Sequence, residues 1–210
     1  MRKVLALFYQ LLYHSFAWAY DLVAAAVSLG RWQTWTMQAR PFLIGRVLEI
    51  GFGPGHLQMA LNADGLAVFG LDESRQMSHQ AARRLHRVKY PQRLIRGNAQ
   101  NLPFLDCAFD RVVATFPSEF IFEGQTLLDI HRVLRPAGEL VIVPSAWITG
   151  KGLLERLAAG LFLVTGQAGV LEQILPGIKQ RISASGFLVR HELLELEKSR
   201  VLVIIANKPS

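Results

Sequence analysis

The sequence predicts an α/β fold: a mostly parallel sheet with helices on both faces and an antiparallel hairpin at its carboxyl end. Three observations carry this expectation. Strand-like apolar runs at 46–50, 67–71, 92–96, 109–115 and 138–143 alternate with helical stretches, and parallel strands need crossovers of that length. The first run empties into a turn with glycine at Gly51, Gly53 and Gly55. The last two runs, Gly186 to Leu196 and Arg200 to Asn207, are separated only by Glu197-Lys198-Ser199, a connection short enough to force antiparallel pairing.

At 210 residues the chain suits one domain with a full core, and 51% apolar with 19% charged residues excludes disorder. The single cysteine, Cys107, cannot form an internal disulfide, and no Cys/His spacing resembles a metal site. Net charge is +7, which admits nucleic acid or an anionic membrane as partner. The run Arg83-Arg84-Leu85-His86-Arg87-Val88-Lys89 has no interleaved aromatic residues of the kind that bind single strands, so it reads first as a solvated helix face.

Before the first strand, Arg2-Lys3 and the apolar residues that follow mimic a secretion signal, but an uncleaved helical cap is the expectation. Gln10, His14, Ser15 and Asp21 interrupt the stretch Val4 to Leu29, and a mid-segment carboxylate costs about 2.5–3.5 kcal/mol to insert in a bilayer. Two helices meeting near His14-Ser15, the second ended by Gly30, fit better than a span.

The first strand ends Val47-Leu48-Glu49-Ile50-Gly51-Phe52-Gly53-Pro54-Gly55. A strand that empties into glycines and then a helix offers bare N–H groups and room for close approach of a ligand. A dinucleotide fingerprint would place its third glycine at His56 or Gln58, so that pattern is absent. The second strand, Ala67 to Leu71, ends in Asp72, a carboxylate able to accept from ribose hydroxyls; Asp72-Glu73-Ser74 equally suits the start of the helix Arg75 to Val88. Further on stand Gly97-Asn98-Ala99-Gln100, then Phe109 to Thr115, then Leu127 to Arg135 followed by Pro136-Ala137-Gly138. His131 is expected on a helix surface.

The order acid-x-Gly-x-Gly-x-Gly, strand-end acid, Gly-Asn-Ala and Leu-x-Pro-x-Gly resembles the class I S-adenosylmethionine (SAM) methyltransferases over about residues 45 to 145. The similarity points to the branch of quinone-biosynthesis and phospholipid methyltransferases, with Phe16 to Asp21 and Ser28 to Trp32 resembling its opening segment. The resemblance implies a Rossmann-like seven-stranded sheet with an N-terminal helical cap, and SAM as cofactor with S-adenosylhomocysteine as product. It implies cofactor contacts at Tyr20, Glu49, Gly51, Phe52, Gly53, Gly55, Asp72, Glu73, Asn98, Ala99 and Thr115. The family usually has aspartate where Asn98 stands; the amide oxygen can still accept from an amine, without charge assistance. One domain is expected, with a cap at 1–42, a SAM-binding core at 43–145, and a cover, helix and closing hairpin at 146–210. Leu153, Leu154, Leu157 and Leu161 fit either a movable cover or a core-packing helix.

Methyl transfer needs alignment, which can supply about 7–11 kcal/mol of the barrier, and a base only if the acceptor must lose a proton. Tyr20, His14 and Glu119 are the candidate bases, and each also has an ordinary structural role open to it. No metal is expected. The expected acceptor is small and hydrophobic or lipid-like, in the cytoplasm or peripheral to a membrane; an RNA acceptor or a non-catalytic SAM-binding module are the alternatives. Asn98→Asp should bind S-adenosylhomocysteine as tightly or more tightly by calorimetry, with a gain below about 1.5 kcal/mol because carboxylate desolvation opposes it.

Overall fold

The computed structural model describes residues 28–150 and 170–210, with the backbone alone described at 170–174. The expectations for a cap before residue 28, including Tyr20 and His14, and for a cover across 151–169 lie outside the described residues.

Helix α1 (Trp32–Thr36) and a 3-10 turn (Met37–Phe42) lead into β1 (Arg46–Ile50). There follow α2 (His56–Ala63), β2 (Ala67–Asp72), α3 (Arg75–Arg87), β3 (Leu94–Arg96) and β4 (Phe109–Thr115). A second 3-10 turn (Glu119–Phe122) precedes α4 (Gly124–Val133), β5 (Leu134–Ile148), α5 (Val170–Ala184), β6 (Leu188–Leu196) and β7 (Ser199–Asn207). The strands form one seven-stranded sheet in the order β3-β2-β1-β4-β5-β7-β6. β1 to β5 are parallel, and β7 runs antiparallel to both its neighbours. The closing hairpin is the one that the three-residue connection demanded.

Strand periodicity sorts the core into two layers. Val47, Val68, Val113, Val141, Val203 and Ile205 face Trp35 of α1 and Leu57 and Leu61 of α2. Leu48, Ile50, Val112, Leu140, Ile142 and Ile204 face Leu127 and Ile130 of α4 and Ile182 of α5. Burial of each such side chain stabilises by about 1.5–3 kcal/mol. Val201 to Ala206 is buried without a break, as a strand covered on both faces must be. Trp35 is fully buried, and its indole N–H donates to Ser199 Oγ at 3.0 Å, which fastens α1 to the start of β7.

Three strands depart from the expected bounds by two residues or more: β3, β5 and β6, the last of which begins at Leu188 rather than 186. β3 begins at Leu94 rather than 92, because Tyr90 N–H still closes α3 on the Leu85 carbonyl and Pro91 has no donor for a ladder. β5 extends past 138–143 at both ends. Its pairing with β4 jumps from Phe109↔Leu134 to Arg111↔Glu139, so the Pro136-Ala137-Gly138 turn is a bulge carried within the strand. Ala137 sits there at φ 60, while its N–H donates to the Lys208 carbonyl and Lys208 N–H returns a bond to Gly138. A second shift, between Ile142 and Ser145, lets β5 pass Pro144, which has no N–H to give β7.

Helix α3 buries Met77, Ala81 and Leu85, spaced four apart on one face. It meets α2 where Gly55 starts that helix: a Cβ on Gly55 would lie 2.8 Å from Ala81 Cβ and 3.1 Å from its Cα. Gly65 has a similar left-handed backbone, φ 78 against 83, but nothing within 4 Å of a built Cβ. Gly65→Ala should therefore cost only the left-handed strain, about 1–2 kcal/mol, whereas Gly55→Ala adds an overpacking cost of about 1–3 kcal/mol. Urea unfolding midpoints of the two variants check the difference.

Candidate active site

The turn after β1 is built on backbone that only glycine adopts without strain. Gly51, Gly53 and Gly55 have φ 71, 52 and 83, and Gly51 N–H donates to the Leu71 carbonyl at 2.7 Å, which aligns the ends of β1 and β2. Asp72 is 2% exposed. Its Oδ2 accepts from Gly53 N–H at 2.9 Å and its Oδ1 from Ser74 N–H at 2.8 Å. The helix cap is Ser74, whose Oγ accepts from Met77 N–H at 3.3 Å, so Asp72 ties the turn to the start of α3 without itself capping the helix. A Cβ on Gly53 would meet nothing within 4 Å, and one on Gly51 only Phe120 Cζ at 4.0 Å. The outer side of the turn is thus an open cradle.

Glu49 shares the Val47 face of β1 and is 2% exposed. Gln58 of α2 donates to its Oε2 at 2.9 Å and to the Phe69 carbonyl at 3.2 Å. Burial pushes the Glu49 carboxyl up to about 8; the bond from Gln58 opposes the rise and the nearby charge of Asp72 adds to it. Phe52 points inward, and a Cβ on Gly70 would meet its Cδ1 at 2.6 Å, so Phe52 offers the cradle its backbone alone.

At the ends of β2 and β3 an open groove of about 840 Å³ is lined by Glu73, Ser74, Arg75, Gln76, Arg96 and Gly97. Glu73 is exposed, and its carbonyl accepts from Arg96 Nε at 3.0 Å. Asn98 is also exposed; its Oδ1 accepts from Gln100 N–H at 2.8 Å and leaves a second lone pair outward. Ala99 is buried in the core. This loop has a clamp that sequence reading missed. Arg132 of α4 donates to the carbonyls of Phe104 at 2.7 Å and Leu102 at 3.0 Å and pairs with Asp129 at 2.7 Å and Asp106 at 2.8 Å. Asp129 also accepts from Leu102 N–H. The Asp129 and Arg132 spacing of three on an amphipathic helix was the available signal, but their partners lie almost thirty residues away.

The end of β4 carries an aromatic wall. Phe116, at φ 47, follows Thr115 and stacks on Trp32 at 4.1 Å between centroids, with Trp35 at 6.3 Å. Thr115 is half-buried beside it, and Phe120 reaches the glycine turn. Glu119 opens the 3-10 turn and is exposed. His56, the first residue after the glycine turn, touches Gln33 of α1 at 3.2 Å and Arg84 of α3 at 2.7 Å, so three helices meet at this corner. His131 lies on its helix as expected, half-buried rather than fully solvated. Its ring packs on Phe187 at 5.0 Å, and burial, with Lys208 nearby, holds it below the usual imidazole range, far from the cradle.

A glycine cradle at the carboxyl ends of β1 and β2, beside two buried acids, stands where an open sheet of Rossmann-like topology binds its ligand. Among the described residues no cluster of His, Cys, Asp or Glu could hold a metal ion. A methyltransferase-domain family model matches residues 48–142, which span all of these elements. Among curated proteins, demethylmenaquinone methyltransferase of Clavibacter sepedonicus is 34% identical over 59% of this chain and 52% of its own length. The chain thus spans about half of that relative. The demethylmenaquinone methyltransferase of Thermus thermophilus is 29% identical over 83% of this chain and 90% of its own length. Among solved structures, phosphoethanolamine N-methyltransferase 2 of Haemonchus contortus in complex with S-adenosyl-L-methionine superposes with a TM-score of 0.62 at 19% identity, over 96% of this chain and 60% of that one. Residues 48–142 thus form a methyltransferase domain, carried on the seven-stranded sheet of the class I SAM-dependent methyltransferase fold.

Glu49 gives the unliganded site a pH signature. Because its folded value of about 8 lies above the ordinary 4.5, the folded state keeps a proton between those values that the unfolded chain releases. Stability must fall as pH rises through that window, by at most about 1.4 kcal/mol per unit, with the loss complete above about pH 8. Glu49→Gln should flatten the fall, read as cofactor-free urea midpoints at pH 5 and 8.5.

Proposed function

We propose that this methyltransferase methylates a small hydrophobic acceptor of the quinone class. The observation that carries the reading is the set of aromatic rings at the end of β4, with Trp32 stacked on Phe116 against one core layer and Phe120 packed on the other, where it reaches the glycine turn. A flat apolar ring stacks there without asking for polar partners. The names of the matched bacterial relatives support the same class.

When bound, SAM supplies an activated methyl group on a sulfonium. Gly51 and Gly53 would hold its methionine half close to bare backbone, and Glu49 would give up its proton to face the positive charge. Asp72 would accept from the ribose hydroxyls. The backbone of Ala99 and the outward lone pair of Asn98 would serve the adenine, with Glu73 beside the ribose. Thr115 and Phe120 would flank the path of the transferred methyl group. Glu119 is the described carboxylate at that edge and the one we assign to remove a proton from a ring hydroxyl or carbon of the acceptor. Contact with a membrane surface is part of this reading, since such acceptors dissolve in bilayers.

Isotope from methyl-labelled SAM should enter a short-chain demethylated naphthoquinol. No transfer to that acceptor, with S-adenosylhomocysteine still bound, would sink the acceptor class. Asp72→Ala should weaken S-adenosylhomocysteine about ten- to a hundred-fold by calorimetry, as loss of charge-assisted bonds requires. Phe120→Ala should raise KM for the naphthoquinol more than it changes cofactor affinity.

A further inference from the structure

Between Glu73 and Asp106 the chain has no acidic residue, but it has Arg75, Arg83, Arg84, Arg87, Lys89, Arg93 and Arg96. The whole chain is +7, so this stretch carries a charge equal to the entire excess and the remaining basic and acidic residues cancel. The fold gathers the stretch on one side, because α3 crosses from β2 to β3 and β3 is the free edge of the sheet.

On α3 the buried residues Met77, Ala81 and Leu85 fix the inward face, which leaves Arg83 and Arg87 side by side on the outward one. Arg75, Arg83, Arg87, Lys89, Arg93 and Arg96 are all exposed. Among the described residues none of these six forms an ion pair, whereas Arg40, Arg111, Arg132, Arg135, Arg190 and Arg200 elsewhere all do. Cations at the end of a helix complement its dipole, which accounts for Arg84, His86 and Arg87. It does not account for Lys89, Arg93 and Arg96 beyond the helix, nor for an Arg83 and Arg87 pair that repels at i,i+4. Val88, in the middle of the cations, is 45% exposed.

We propose that the α3 and β3 edge docks this enzyme on an anionic bilayer, with Arg75 and Arg96 marking where that surface meets the groove at the cofactor end. A bilayer is favoured over RNA because no Phe or Trp stands among the cations to stack on bases and Tyr90 is half-buried, while Val88 suits the headgroup boundary. The choice also rests on the hydrophobic acceptor proposed above. Among the described residues no helix is long and apolar enough to cross a membrane, so the contact is one of surfaces. The field of an anionic leaflet acts on each cation separately, worth roughly a five-fold gain in partition apiece.

The full chain should float with phosphatidylcholine vesicles containing one-third phosphatidylglycerol, release as salt rises, and ignore vesicles of phosphatidylcholine alone. Arg83→Glu with Arg87→Glu and Lys89→Glu should lower partition at least about a hundred-fold, and each single reversal about five-fold or more. Arg83→Lys with Arg87→Lys should leave it within about two-fold, because charge and not fork geometry is read. Melting midpoint, S-adenosylhomocysteine affinity and turnover of the detergent-soluble naphthoquinol should not change in the triple variant. Equal binding to both vesicle types, or a triple variant that floats as before, overturns the proposal. So does a salt-sensitive shift with RNA that the reversals abolish while vesicles bind nothing. Failure of naphthoquinol turnover in the unaltered chain would instead count against the acceptor, with the flotation result standing on its own.

Discussion

The Asp72 carboxylate accepts from Gly53 and Ser74 at once, and so joins the turn after β1 to the start of α3. Both donors lie in loops, which have no ladder of their own to fix them. With Asp72 almost wholly buried, each bond forms in a low dielectric and removal of either partner strands a polar group. The helix that carries the basic edge and the turn that faces the cofactor are therefore positioned by one side chain. Asp72 can do this only because β2 and β1 run in parallel register, Ile50 beside Leu71, which brings their carboxyl ends level.

Glu49 lies near this bridge and makes a second buried acid. Its raised proton affinity means that the empty site holds less negative charge than its formula suggests. A cation placed beside Glu49 would lower that affinity again and release the proton, over the same window in which the fold weakens. Gln58 is the built-in compensation, since it supplies a donor to Glu49 whatever its protonation state.

Most of the architecture was legible because it follows from period and spacing. Five alternating runs gave the parallel strands, a three-residue connection gave the hairpin, and the glycines at 51, 53 and 55 gave a turn whose φ values are all positive. What stayed hidden depended on distant partners. The bulge that carries β5 through Gly138 needs Lys208, and the clamp on the loop after β3 needs Arg132. Neither pairing leaves a periodic mark in the chain. The aromatic wall was concealed similarly: Trp32 and Phe116 are eighty-four positions apart and meet only because α1 folds over the end of β4. The packing of His131 was hidden for the same reason, since a helix-face histidine looks fully solvated until Phe187, just before β6, is laid beside it.

The position of β7 bears on how the chain can acquire its structure. It comes last in chain order among the described strands but sits inside the sheet, between β5 and β6, and it receives the Trp35 indole bond on Ser199. Until it arrives, β5 presents an unpaired apolar edge and α1 has no buried partner for its indole N–H. Contacts between residue 35 and residue 199 close a long loop, so folding should be slow for a domain of this size and should finish only after synthesis of nearly the whole chain. A nascent chain halted before residue 199 would be a substrate for chaperones rather than a partly working enzyme.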